Sequence, residues 1–394
     1  MTPVANGRAP GRRKGGARRL AGALLVAGAA WLSAAPAAAD QWTLRSGVHL
    51  DAWSANDSSG QGSGHQVLVP LGIFYDTPLW GVSARGGAGT SGHDLDGAPS
   101  ASMTGFTDTT VSGYYRLRVS GAEIRFGLDM DLPSGVSRLE TEDLPAIQDE
   151  DLVALQRFGE GFDVNPTVIV YRSFGGWGLG GGIGYLWTGE YDPTEDVSGD
   201  DFDPGDELAV TLIGDVFLGD VWRLIGRVAY TTFGTDERGG VEVFGEGDEL
   251  DIGASLEWRP EPWWALLSVR DIYRFKADRL NAAGQLAEEA ENGRGNEIRG
   301  ALTVGYIIDD VWTVRGALDV RYVNANDYAT SAPLYDGGRF KIAFGPGVAW
   351  TPSRTFGLDA SVRWFYLDAE RSPIFPKGAS IHGVHADLRV TYRF

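Results

Sequence analysis

The residues with chemistry to offer are arginines and acids set at alternating positions. Arg45, Arg85, Arg116, Arg118, Arg125, Arg227, Arg270, Arg315, Arg363 and Arg389 share one face of alternating segments, with Asp319 and Asp387 among the acids of that face. Guanidinium and carboxylate on the same face either pair and brace the wall, or leave fixed charge for a solute to meet. The bases outnumber the acids there, so braces alone would leave positive charge over. A second group, Glu140, Glu142, Asp143, Asp149, Glu150 and Asp151, lies in the longest break, residues 132–162. Those carboxylates supply a negative surface to set against the arginines.

Other chemistries find less support. With no cysteine, disulfides, thiolate metal sites and cysteine nucleophiles are excluded. The histidines are 49, 65, 93, 382 and 385. His93-Asp94-Leu95-Asp96 has residue types for acid–base work, but a solvated polar loop explains it as well. Asp200, Asp201, Asp203 and Asp206 have oxygen ligands for a hard cation, without the spacing of an EF-hand loop. No catalytic residue, metal or cofactor is assigned. A formal net charge of −19 argues against nucleic acid as a partner.

The elements that must position these residues are strands. Segments of 10–15 residues alternate apolar and polar side chains, which a strand sends to opposite faces. Sixteen are predicted: 41–53, 66–75, 80–89, 105–119, 121–131, 163–174, 176–189, 207–218, 221–234, 248–259, 262–275, 297–308, 311–323, 339–351, 354–368 and 380–394. Segments 41–53 and 163–174 alternate imperfectly, so fourteen is the other count. Asp271 falls on the apolar parity, which points to a bulge or a shifted register. Breaks alternate between tight turns, such as Ser120-Gly121 and Gly219-Asp220, and long acidic loops. Within the third loop, Asp149–Phe158 has the pattern of a short helix. Gly178, Gly180, Gly182 and Gly184 share the polar parity. They leave room for a loop or solute, or make a plain packing surface.

Tryptophan placement separates a membrane barrel from a soluble sandwich, which would alternate too. Trp80, Trp177, Trp222, Trp263 and Trp312 each follow a short turn, Trp258 and Trp350 precede one, and Trp42 opens the first strand. All have the apolar parity and form one ring. Trp187, Tyr230, Tyr273, Tyr322 and Tyr366 form a second, a strand length away. Two aromatic girdles fit the two interfaces of a bilayer. The expected fold is all-β: a single antiparallel up-and-down transmembrane barrel from about residue 40 to Phe394, with short periplasmic turns and long outer loops. Residues 1–39 read as a secretory signal peptide, with a basic start, the apolar run Leu20–Leu32 and small residues to Ala39.

The last residues, Val384 to Phe394, alternate and end on a bare aromatic. This resembles the C-terminal signal of bacterial outer-membrane β-barrels. The resemblance implies outer-membrane localisation, lipid and lipopolysaccharide contact, and recognition of Phe394 by the barrel-assembly machinery. The layout resembles general porins, whose long third loop folds into the pore opposite basic wall residues. Their Pro-Glu-Phe-Gly-Gly loop signature is absent; Phe158-Gly159-Glu160-Gly161 is the nearest stretch. Asp131–Gly135 (DLPSG) and Phe158–Asp192 resemble the outer-membrane transporter family linked to the MetA pathway of phenol degradation. That resemblance implies uptake of small, aromatic or apolar molecules.

Two classes of function compete. One is a channel or porin for passive or facilitated uptake, with an arginine-rich lumen and loop 132–162 as its constriction. The other is a closed barrel serving as a lipase- or protease-type enzyme, an adhesin or a structural protein. Sixteen strands favour the first, since wide barrels leave a lumen. Whether the barrel is a monomer or a trimer is left open.

Overall fold

The computed structural model describes residues 40–57, 60–95, 100–372 and 378–394. Residues 1–39, where a signal peptide is expected, and Asp96 lie outside the described residues. In chain order the strands are β1 (Gln41–Asp57), β2 (Gly60–Asp76), β3 (Trp80–Leu95), β4 (Ala101–Phe106), β5 (Thr109–Val119), β6 (Ala122–Leu132), β7 (Asp163–Ser173) and β8 (Trp177–Leu186). They continue as β9 (Phe202–Asp203), β10 (Glu207–Leu218), β11 (Trp222–Phe233), β12 (Thr235–Arg238), β13 (Val241–Gly245), β14 (Glu249–Trp258) and β15 (Trp263–Arg274). The remainder are β16 (Asp278–Leu280), β17 (Leu286–Glu288), β18 (Glu297–Ile307), β19 (Trp312–Val323), β20 (Arg339–Trp350), β21 (Phe356–Ala369) and β22 (Ala379–Arg393).

Neighbours pair antiparallel around one closed sheet. β1 hydrogen-bonds β2 on one side and β22 on the other, so no edge remains at the seam. β4 and β5 both pair with β3, its outer and inner halves respectively, and act as one interrupted strand. The barrel therefore has sixteen strands. Segment 105–119 is corrected by this break. The strand begins at Ala101 and is interrupted at Thr107–Asp108, where the Asp108 amide leaves the ladder to bond the carbonyl of Phe158. β15 keeps an unbroken register with β14 and β18, so Asp271 marks neither a bulge nor a shift. It faces outward and accepts a hydrogen bond from Asn296 at 2.7 Å.

The tight turns fall where their residues demand. Ser120 (φ 50°) and Gly121 (φ 81°) both hold the left-handed conformation that a two-residue hairpin requires. The tryptophans beside these turns lie on the outside. Trp222 meets Trp258 and Trp312 meets Trp350, each with ring centroids 5.8 Å apart, while Trp42 and Trp80 flank Tyr75. Trp187, Tyr230, Tyr273 and Tyr322 are exposed near the other end. Between the rings the exposed side chains are mainly Leu, Val, Ile and Phe, as lipid contact requires, with Trp364 and Asp271 among them. No helix among the described residues is long and apolar enough to cross a membrane; strands do the crossing.

A second sheet was not legible in the sequence. The outer loops contribute β9, β12, β13, β16 and β17 to a separate five-stranded sheet. Its strands have two to five residues each, too short for an alternation pattern.

Candidate functional site

Loop 132–162 builds the site. It leaves the wall beside the β4–β5 break and returns to it there. The Asp108 carboxylate accepts the amides of Gly135 at 2.8 Å and Glu160 at 2.7 Å, tying both ends of the loop to one side chain. The backbones cross so closely that a Cβ on Gly135 would fall 2.1 Å from the Phe158 carbonyl oxygen. This close approach explains the glycines of the DLPSG and FGEG stretches.

From this neck the loop runs against the inward face of the barrel. Leu152 and Val153 pack with Trp53, Phe365, Leu367 and Ile381, and Phe158 packs with Leu68, Ala101 and Met103. Polar contacts accompany the apolar ones. Gln148 accepts from Trp53 Nε1 at 2.7 Å and donates to Ser91 Oγ at 2.8 Å. Gln66 donates to the Leu155 carbonyl and accepts its amide, at 2.7 and 2.9 Å. The expected helix at Asp149–Phe158 does not form. A turn closed by the Leu152 amide on the Asp149 carbonyl stands there, and the loop's short helical piece is a 3-10 turn at Leu144–Ala146. Three consecutive acids are drawn to wall cations, Asp149 to Arg339 and both Glu150 and Asp151 to Arg321, which a regular helix would prevent by spreading them around its axis.

Asp149, Glu150 and Asp151 carry the charge contacts. Asp149 meets Arg339 at 3.0 Å, Asp151 meets Arg321 at 2.6 Å, and Glu150 also accepts from Arg321. Lys341 donates to the Asp151 carbonyl. An arrangement that set these acids opposite Arg116, Arg125, Arg227, Arg270 and Arg363 is corrected: parity gives the inward face but not the position around the circumference. Glu140, Glu142 and Asp143 stand further out. Glu142 repels the Glu140 carboxylate and holds its pKa above the ordinary range; Asp143 accepts the Ser102 amide at 3.5 Å.

The inward arginines divide in two. From β10 to β21 they meet carboxylates. Arg223 lies 3.1 Å from Asp215, Arg227 3.0 Å from Asp251, and Arg270 bonds the same Asp251. Arg274, Arg299 and Arg321 converge on Glu297, whose side chain is fully buried. Arg315 forms a two-pronged pair with Asp359 at 2.6 and 2.7 Å, and Arg363 meets Asp319 at 2.7 Å and Asp387 at 4.0 Å. From β22 through β6 the pattern changes. Arg45 stacks on Phe74, Arg125 on Tyr114, and Arg85 bonds Ser112; these and Arg389 have no carboxylate within 4.0 Å among the described residues. Arg116 and Arg118 share Glu123 at 4.0 and 3.6 Å.

One constellation was missed. Asp51 Oδ1 accepts from His49 Nε2 at 2.8 Å and His385 Nδ1 at 2.6 Å, and its Oδ2 accepts the Ala154 amide of the loop at 2.7 Å. His49 Nδ1 meets Asp387 at 2.7 Å. The ligand atoms of His49, Asp51 and His385 lie within 4.8 Å of one another. Here they are joined by hydrogen bonds, which hold the buried acid and moor the loop. The inward parity of His49 and His385, on two strands that close the barrel, was the available signal. Of the glycines of β8, Gly178 and Gly182 serve packing, since a Cβ at Gly178 would overlap the Tyr171 hydroxyl and one at Gly182 would press on Ile169, while Gly184 borders an inward cavity. Among the outer acids, Asp200 is engaged by Arg238 at 3.1 Å and Thr194 at 2.7 Å, and Asp206 accepts the Thr188 amide.

No family model and no curated protein matches the chain. Solved structures with a similar fold include the outer-membrane channel DcaP of Acinetobacter baumannii. It is 12% identical with TM-score 0.45, over 90% of this chain and 98% of that one. The toluene transporter TodX of P. putida is 10% identical with TM-score 0.44, over 91% and 90%. The translocator domain of autotransporter NalP from Neisseria meningitidis is 11% identical with TM-score 0.36, over 96% of each. These likenesses concern overall fold and do not extend to residues or activity. The chain is an outer-membrane β-barrel. Its own closed sheet, apolar exterior and paired aromatic girdles support that statement.

Proposed function

We propose that the protein is an outer-membrane channel for passive or facilitated uptake of small molecules, with loop 132–162 as its constriction. The observation that carries this reading is the loop's mooring to inward residues on both sides of the seam: Asp51 and Gln66 on one, Arg321, Arg339 and Lys341 on the other. A loop so placed narrows the lumen without replacing the wall. In this reading the unpaired arginines of β1, β3 and β6 line the path, and the paired ones brace it. Reconstituted in planar bilayers, the full barrel should give discrete conductance steps. A barrel that never conducts would favour the closed, non-channel reading.

The C-terminus fits insertion by the barrel-assembly machinery. Phe394 exchanges backbone hydrogen bonds with Trp42 at 3.0 and 3.1 Å and so finishes the seam, while its ring lies exposed. Deleting Phe394 should reduce the heat-modifiable folded barrel recovered from outer membranes. Unchanged recovery would refute a role in assembly.

A further inference from the structure

We propose that a cavity in the lumen beside β5 and β6 binds the carboxylate of a small organic acid between Arg116 and Arg125. The proposal deepens the channel reading by naming a solute class. The cavity has a volume of about 160 Å3 and is bounded by residues of β2, β3, β5, β6, β7, β8 and β10. Arg116 and Arg125 stand directly opposite each other in the β5–β6 ladder. Like charges so placed repel, and no acid lies between them to relieve it. Both guanidiniums instead stack on Tyr114, 4.5 and 4.3 Å from its ring centre. Tyr114 is itself fixed by donating to Asp76 at 2.7 Å. Glu123 reaches only the edge of Arg116, at 4.0 Å, and Arg118 competes for it. The Nε atoms of Arg116 and Arg85 are buried and have no hydrogen-bond partner. Planar forks held in place, with donors unused, match a carboxylate in geometry and charge.

The rest of the cavity selects the body of the acid. Of its acids, Asp129 and Glu207 lie toward the outer ends of their strands, while Asp76, near the arginines, is engaged by the Tyr114 hydroxyl. Phe74, Ile169 and Leu186 add apolar wall. A solute with one carboxylate and a compact apolar ring satisfies both parts.

The test is equilibrium binding to the full-length barrel in detergent by titration calorimetry. The probes are benzoate and its neutral analogue benzamide. Benzoate should bind saturably and benzamide about tenfold more weakly. The Arg116→Gln/Arg125→Gln double variant should lose about tenfold in benzoate affinity, with Arg354→Gln, in an exposed turn, close to wild type as a surface-charge control. Should the double variant fail to fold, Arg125→Lys keeps the charge, removes the fork and should still weaken benzoate several-fold. Equal binding of the two probes, no benzoate binding, or full affinity in the folded arginine variants would overturn the proposal. Binding does not require conduction. A barrel that binds benzoate without conducting would refute the channel reading and leave this site standing; one that conducts without binding would do the reverse.

Discussion

Two walls of the same lumen use the same residue type in opposite ways. Between β10 and β21, arginine finds carboxylate on its own strand, a neighbouring strand, the one beyond, or the third loop. Between β22 and β6, arginine finds aromatic rings, a serine or another arginine, with Glu123 shared by Arg116 and Arg118 at the turn end. What separates them is what the neighbouring strands offer. Arg315 and Asp359 lie on β19 and β21, and the arginine crosses β20 over Gly347, where a Cβ would sit 2.8 Å from its Nε. Arg116 has Arg125 in the facing position. Inward parity alone therefore does not say whether an arginine braces or waits for a solute; a carboxylate within reach does, since Arg299 faces Arg321 across β18 and β19 and both still bond Glu297.

Stability should break the symmetry most strongly. Glu297 is buried and meets Arg274, Arg299 and Arg321. Glu297→Gln removes a carboxylate shared by three guanidiniums, of which Arg274 keeps Glu249 and Arg321 keeps Glu150 and Asp151, and should still cost about 3 kcal/mol, because Arg299 is left without its partner. Arg125→Gln, on the other wall, has no ion pair to lose and should stay within about 1 kcal/mol of wild type. Urea unfolding midpoints of the two variants in the same lipid provide the comparison. Equal losses would mean that pairing does not distinguish the walls.

The moorings of the loop come next. Asp149→Asn, Glu150→Gln and Asp151→Asn together remove its carboxylates from Arg321 and Arg339. If the loop constricts the lumen, single-channel conductance should rise, by about twofold or more, as the restriction loosens. Unchanged conductance in a folded variant would show that the ion path avoids the loop.

Much of this was legible before the structure, for physical reasons. Strand period, turn chemistry and lipid exposure act locally, so the turns, the Trp girdle and the inward faces follow from short stretches such as Trp312–Val323. The break at Thr107–Asp108 was not legible, because it depends on Phe158, about fifty residues away in sequence. The partners of Asp149–Asp151 were hidden for a similar reason. Strand tilt and closure decide which arginine reaches the loop, and neither is written in alternation. A usable signal was present for one cross-strand pair: Gly347 on the inward parity of β20 marks where the long Arg315 side chain passes from one strand to the next but one.

The smallest expected effect, and the most diagnostic, is in selectivity. Fixed charge in a low-dielectric lumen enriches counter-ions only where another fixed charge does not cancel it. Neutralising Arg116 and Arg125 should therefore move the reversal potential in a salt gradient toward cation preference. Neutralising Arg227 alone exposes Asp251, but Arg270 still bonds that acid, and the shift should be smaller. Both shifts should shrink with salt, because the screening length falls from about 10 Å at 0.1 M to about 3 Å at 1 M. If the Arg227 variant shifts selectivity as far as the double variant, the paired wall carries the ion path and the assignment of the two walls is reversed.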